Sequence, residues 1–181
     1  MTSKTLTDAE LLVLGLVAEM PRHGYELEQA IERRGMRQWT QIGFSSIYFV
    51  LGKLEDAGLI AAKKPSGAKA KKAYSITRAG RKALVDQTLE ALSTVRPTYS
   101  SVLLGMIHWP VLSRDAALDA LEARSDAVSA ELDRFEQIRF SRQPLPDFIE
   151  ALFDFSAGQL RAEKDWALRT LNYMRTKPWL E

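Results

Sequence analysis

Apolar residues recur at helical spacing along most of the chain. Leu11, Leu12, Leu14, Gly15 and Val17 follow steps of three and four behind Thr7, a hydroxyl suited to capping, with Asp8 and Glu10 in the first turn. A first helix is therefore predicted to about Met20, where Pro21 stops it. Gly24 allows a turn, and Tyr25, Leu27, Ala30 and Ile31 mark the buried side of a short second helix ending near Gly35. A third helix, capped by Ser45 or Ser46, carries Ile47, Val50, Leu51, Leu54 and Ala57 on one face and ends at Gly58. The pattern then turns extended: Leu59 to Ala62 reads as a strand, Lys63 to Ala70 as a Pro, Ser, Gly and Lys loop, and Ala73 to Ile76 as a second strand. Thr77 caps a fourth helix, from about Arg78 to Val95, with the stripe Leu84, Val85, Leu89, Leu92 and Val95. Three helices followed by a two-stranded wing predict a winged helix-turn-helix.

Beyond Pro97 the pattern is helical only. An apolar segment, Tyr99 to Ile107, precedes Trp109-Pro110, and Ser113 caps a helix carrying Leu118, Leu121, Val128, Leu132 and Phe135, interrupted by Ser125. Gln143-Pro144-Leu145-Pro146 ends it, and a last helix runs from about Asp147 to Arg175 with Phe148, Leu152, Phe155, Leu160, Trp166, Leu168, Leu171 and Met174. Wide apolar faces with no sheet to cover them must pack on one another or on a second chain, and a homodimer is the simplest arrangement. The expected fold class is mainly α: residues 1–95 a winged-helix DNA-binding domain, and residues 96–181 a helical dimerisation domain.

Composition narrows the chemistry. The chain has 181 residues, 46% hydrophobic and 27% charged, which is ordinary for a globular protein. Its formal charge of +2 alone argues against a nucleic-acid binder, but residues 1–82 hold 14 basic against 8 acidic side chains and the rest 11 against 15. Lys63, Lys64, Lys69, Lys71, Lys72, Arg78, Arg81 and Lys82 form a run without an acidic residue, which favours a polyanion partner. There is no cysteine, which removes disulfides, thiolate nucleophiles and cysteine-held metals, and fits a reducing, cytoplasmic setting. The longest apolar run, Leu11 to Ala18, is far short of the roughly 20 residues of a membrane span, and Met1 to Glu10 does not read as a secretory leader. His23 and His108 are in no metal spacing, and neither a phosphate-binding glycine loop nor a nucleophile elbow occurs. Ser66 to Lys69 spells Ser-x-x-Lys, but in the wing loop, where no pocket would desolvate the lysine. No catalytic residue, metal or cofactor is expected.

The third helix suits a groove. A helix is about 10–12 Å across and the B-DNA major groove about 12 Å. Ser45, Ser46, Tyr48, Phe49, Gly52 and Lys53 point away from its apolar face, and the hydroxyls and free amides of its N-terminus suit phosphate oxygens. Lys69, Lys71 and Lys72 would lie along the backbone beside the groove, releasing counterions. Tyr48 reads either as a contact or as half-buried packing, and Phe49 either as a thymine-methyl contact or as helix packing. Glu55 and Asp56 are placed at the far end of the helix, away from phosphate, and Tyr25 and Trp39 in the core, with His23 capping the second helix or packing beside it. Tyr99, Trp109, Phe155 and Trp166, with Met106 and Phe148, are candidates for an apolar effector cavity, although an aromatic stripe at helical spacing is more often plain core.

The stretches His23-Gly24-Tyr25-Glu26-Leu27, Ser46-Ile47-Tyr48, Leu51-x-x-Leu54-Glu55-x-x-Gly58-Leu59-Ile60 and Tyr74-x-Ile76-Thr77-x-x-Gly80 occur in this order, and together the chain resembles the PadR family of bacterial transcriptional regulators. The resemblance spans about residues 8–95, and the C-terminal length resembles the longer members with a helical dimerisation domain. It implies a cytoplasmic homodimeric repressor that binds double-stranded operator DNA through the wing and third helix and releases it on binding a small aromatic or apolar effector. Phe49 stands where the family commonly has proline, and the wing is rich in lysine where arginine is frequent, which favours point-charge phosphate contacts. A winged helix serving as a protein-interaction adaptor, without specific DNA binding, is the competing reading.

Overall fold

A computed structural model describes residues 5–38, 43, 46–63, 72–97 and 99–177. The chain forms two compact units, Met1–Pro97 and Thr98–Glu181. In the first, α1 (Asp8–Glu19), α2 (Gly24–Arg34) and α3 (Ser46–Asp56) pack around Val13, Leu14, Leu16, Val17, Leu27, Ile31, Ile47, Leu51, Leu54 and Ile60, all fully buried or nearly so. Thr7 caps α1 in a reciprocal box: its Oγ1 accepts from Glu10 N–H at 3.3 Å, and Glu10 Oε2 accepts from Thr7 N–H at 2.8 Å. At the other end Arg22 donates from Nε to the Leu16 carbonyl at 3.1 Å, satisfying a helix-end acceptor that would otherwise be buried without a partner. Gly35 closes α2 in the left-handed conformation, with φ of 66°.

The wing pairs β2 (Ile60–Lys63) with β3 (Ala73–Ile76), antiparallel, with Ile60 opposite Ile76 and Ala62 opposite Tyr74. A two-residue strand that the sequence pattern does not reveal, β1 (Arg22–His23), adds to the free edge of β3, so the sheet has three strands in the order β1-β3-β2. The turn read at Gly24 is thus a strand running directly into a helix.

The N-terminal motifs are junctions of this fold. Gly80, in the first turn of α4 (Arg78–Ser93), lies against the turn after α3: a Cβ there would sit 1.9 Å from the Leu59 carbonyl oxygen. Thr77 accepts from Gly80 N–H at 3.0 Å and donates to the Gly58 carbonyl at 2.7 Å, locking the start of α4 onto the end of α3. Gly24 plays the same part at the start of α2, where a Cβ would meet the Tyr48 ring at 2.6 Å.

Only the beginning of the α4 stripe is covered. Leu84 packs on the core, but Val85, Leu89, Leu92 and Val95 are exposed, and the buried polar position is Gln87, whose Oε1 accepts from Leu6 N–H at 3.0 Å.

The second unit is α5 (Ser101–Ile107), α6 (Arg114–Ser141) and α7 (Asp147–Thr176), with a short 3-10 turn at Trp109–Val111. Ser113 caps α6, accepting from Ala116 N–H at 3.3 Å. The two long helices form an antiparallel hairpin in which Ala117 and Leu121 of α6 cluster with Leu171 and Met174 of α7, Phe135 and Phe153 meet edge to face at 5.8 Å, and Val128 is buried. The stripe read on the last helix needs correction: Phe148, Phe155 and Leu168 are exposed, whereas Ala157 and Ala167 are buried. The helices approach closely where the side chain is small, so the contact line runs through alanines rather than through every large apolar residue. No residue of α5 is buried. Among the described residues no helix is long and apolar enough to cross a membrane, and no group of His, Asp and Glu is placed to hold a metal ion.

Candidate nucleic-acid interface

The buried face of α3, Ile47, Val50, Leu51 and Leu54, orients the rest of the helix. With 100° per residue, Phe49, Gly52 and Asp56 lie opposite that face, flanked by Tyr48 on one side and Lys53 on the other. Phe49 is 65% exposed and Tyr48 55%, so neither is core. Ser46 is half-buried in the first turn, its N–H donating to the Gly43 carbonyl at 3.2 Å.

Lys53 and Lys72 are held by acidic partners. Lys53 Nζ lies 4.6 Å from the centre of the Phe49 ring and 3.8 Å from Glu10 Oε1, the buried carboxylate of the α1 capping box. At the base of the wing, Lys72 Nζ donates to Glu55 Oε2 at 2.7 Å and lies 5.4 Å from the centre of the Tyr74 ring. The hydrogen bond to Glu55, with the charges and ring around it, raises the Lys72 pKa above the ordinary lysine value and keeps the ammonium charged. Glu55 thus ties α3 to the base of the wing. Arg78 and Arg81 are exposed on the first turn of α4.

A third element reaches the same face. His23 Nδ1 donates to the Lys72 carbonyl at 3.1 Å, and Tyr25 stacks on His23 with centroids 6.0 Å apart and planes 10° from parallel. Glu26 Oε2 accepts from His23 N–H at 2.7 Å, closing the N-terminus of α2. Tyr25 is 41% exposed, against the expectation of a core residue. Because α2 starts at Gly24 and buries Gly24, Leu27, Ala30 and Ile31, the intervening Tyr25 turns outward. The clue lay in the sequence as Gly24 and Tyr48, two motif residues whose contact joins α2 to α3. Ser45, Lys69, Lys71, Trp39 and the Ser66 to Lys69 segment lie outside the described residues.

The second unit holds a separate cavity of about 250 Å³, lined by Val102, Met106, Trp109, Leu121, Arg124 and Trp166 among others. An Arg124 terminal nitrogen pairs with Glu163, while its Nε is buried and has no hydrogen-bond partner. Of the four candidate effector residues, Trp109 and Trp166 share this cavity, while Tyr99 and Phe155 do not line it and are 89% and 68% exposed.

A three-helix core, a helix with an exposed face of mixed polarity and a β-wing packed at its exit define the class: a winged helix-turn-helix protein. Residues 13–86, most of the winged-helix unit, match the Transcriptional regulator PadR-like family. Comparison with curated proteins finds no significant match. Among solved structures the fold is similar to Bacillus subtilis PadR in complex with operator DNA, with 24% identity, a TM-score of 0.69 and coverage of 91% of this chain and 98% of that one. Bacillus subtilis PadR in complex with p-coumaric acid gives 21%, 0.73, 92% and 98%. The PadR-like regulator BC1756 from Bacillus cereus gives 19%, 0.65, 94% and 100%, so the likeness of fold extends past the family segment into the C-terminal helices.

Proposed function

We propose that the protein is a cytoplasmic, homodimeric transcriptional repressor that binds operator DNA through α3 and the wing and releases it on binding a small aromatic acid. The observation that carries this reading is the exposed face of α3, tied by Glu55 to a wing whose loop is rich in lysine. In this reading Ser45, Ser46 and the free amides of α3 take phosphate oxygens, Tyr48, Phe49 and Lys53 face the groove, and Lys69, Lys71 and Lys72 follow the backbone. The protein works by binding alone, without a catalytic step. The effector site is the cavity beside Trp109 and Trp166, whose indoles suit a planar ring while Arg124 supplies a donor for a carboxylate. Tyr99 and Phe155 lie outside it.

The test is binding of the purified protein to its own promoter region at several salt concentrations. The logarithm of affinity should fall linearly with the logarithm of salt, and replacing Lys69, Lys71 and Lys72 by alanine should flatten the slope by about 0.9 per lost phosphate contact. Adding p-coumaric acid should release the DNA from the wild-type protein, and Arg124→Gln should blunt that release. No binding at low salt, or a slope unchanged by the three substitutions, favours the protein-interaction adaptor.

A further inference from the structure

Gly52 has no explanation inside the protein. A glycine within a helix is less favourable than alanine, because it has the most backbone freedom to lose. The motif glycines have reasons: Gly24 and Gly80 are in tight contacts and Gly58 has a φ of 69°, while Gly105 and Gly158, in helices of the second unit, are as open as Gly52 but do not share its place on the outward line of α3. At Gly52 the backbone is ordinary helix, and a Cβ built there meets nothing within 4 Å. The missing side chain leaves room for something outside the chain.

Phe49, one turn earlier on the same outward line, is the neighbour of that space. An exposed ring is usually loose, but this one is braced: Lys53 Nζ sits 4.6 Å from its centre, and Glu10 holds that ammonium from α1 at 3.8 Å. One face of the ring is thus occupied, which favours one orientation of the remainder and leaves less rotamer freedom to lose on binding. Neither Phe49 nor Gly52 has a side-chain hydrogen-bonding group. The one apolar group that base pairs present in the major groove is the C5-methyl of thymine. Asp56, the next residue along the line, carries a charge that phosphate repels, so contact centres on the turn from Phe49 to Gly52.

We propose that Phe49 and Gly52 are the specificity-determining pair of α3: Gly52 lets the base edges approach the helix backbone, and the braced Phe49 ring packs on a thymine methyl. The proposal rests on the regulator reading above and adds the base that the helix reads.

The experiment uses a short duplex enriched by the wild-type protein from a random-sequence pool, then remade with uracil in place of thymine, one position at a time. Uracil keeps the pairing and lacks only the methyl. Wild-type affinity should drop about tenfold at one thymine of each half-site, and Phe49→Ala should bind the thymine and uracil duplexes equally. Gly52→Ala should unfold about 2–4 °C higher than wild type, yet bind the selected duplex about tenfold more weakly. Tight binding by Gly52→Ala, or indifference of the wild type to uracil at every position, overturns the proposal. Failure to enrich any sequence, together with no binding at low salt, overturns the regulator reading itself.

Discussion

Single residues carry much of this fold through what they lack. At Gly80 the absent side chain makes room for the Leu59 carbonyl, and Thr77 then bonds both sides of the junction. Gly80→Ala should destabilise the winged-helix unit by about 3 kcal/mol, because its Cβ would fall 1.9 Å from a backbone oxygen that cannot move alone. The unfolding midpoint should fall by about 10 °C, and an unchanged midpoint would show that the two segments slide apart without cost. At the residue scale the sequence was informative where chemistry is local. Thr7, Thr77 and Ser113 cap the helices they precede, since capping depends on the next three residues only. It was misleading at Tyr25, whose direction depends on where α2 begins, and silent on the bond from Lys72 to Glu55, residues 17 apart in sequence.

Between elements, the end of α1 is clamped to the end of α2 by charge. Glu19 accepts from Arg34 at 2.5 and 2.7 Å and from Arg22 at 2.8 Å. The hydrogen bond from Arg34 is the largest influence on Glu19 and lowers its pKa below the ordinary carboxylate value of 4.5. A carboxylate whose pKa is lowered by folding contributes stability that is present in full above the unfolded value and lost as pH falls through the folded one. Glu19→Gln should therefore be less stable than wild type at neutral pH, by under about 1 kcal/mol because the pair is half-exposed and screened. The difference should shrink as pH drops below 4.5 and the wild-type carboxylate protonates. Urea unfolding at several pH values checks this, and parallel stability curves for the two proteins would contradict it. Element identity was largely legible, since the helices of the first unit and the long helices α6 and α7 follow clear periods. β1 was not, because two residues have no period and become a strand only when the edge of β3 lies beside them.

For the whole molecule the exposed apolar surface is the dominant fact. Every residue of α5 escapes burial, and Leu104, Ile107, Phe148 and Phe155 are each more than 60% exposed within one chain. Surface of this kind calls for a partner, and in the proposed function that partner is a second copy, which would give two α3 helices for a two-fold operator. Light scattering should find a dimer, and Phe148→Glu combined with Phe155→Glu should shift it to monomer without unfolding it, since neither ring is in the core. A dimer that survives both charges would place the contact on a different surface. The +2 net charge belongs to this scale as well. Its division into a basic N-terminal part and an acidic C-terminal part fits the proposed function, in which DNA meets the winged-helix end.

The linear chain by itself determined most of the helices, the caps at Thr7, Thr77 and Ser113, the two longer strands of the wing and the charge division, because propensity, capping and periodicity act over a few residues. Tertiary structure alone decided which apolar residues are covered. Ala157 and Ala167 are buried and Phe155 is not, because burial depends on how closely two helices approach rather than on the size of the side chain. It also decided that Lys53 braces Phe49 and that Gly52 faces empty space, since both depend on α1 and α3 being packed side by side.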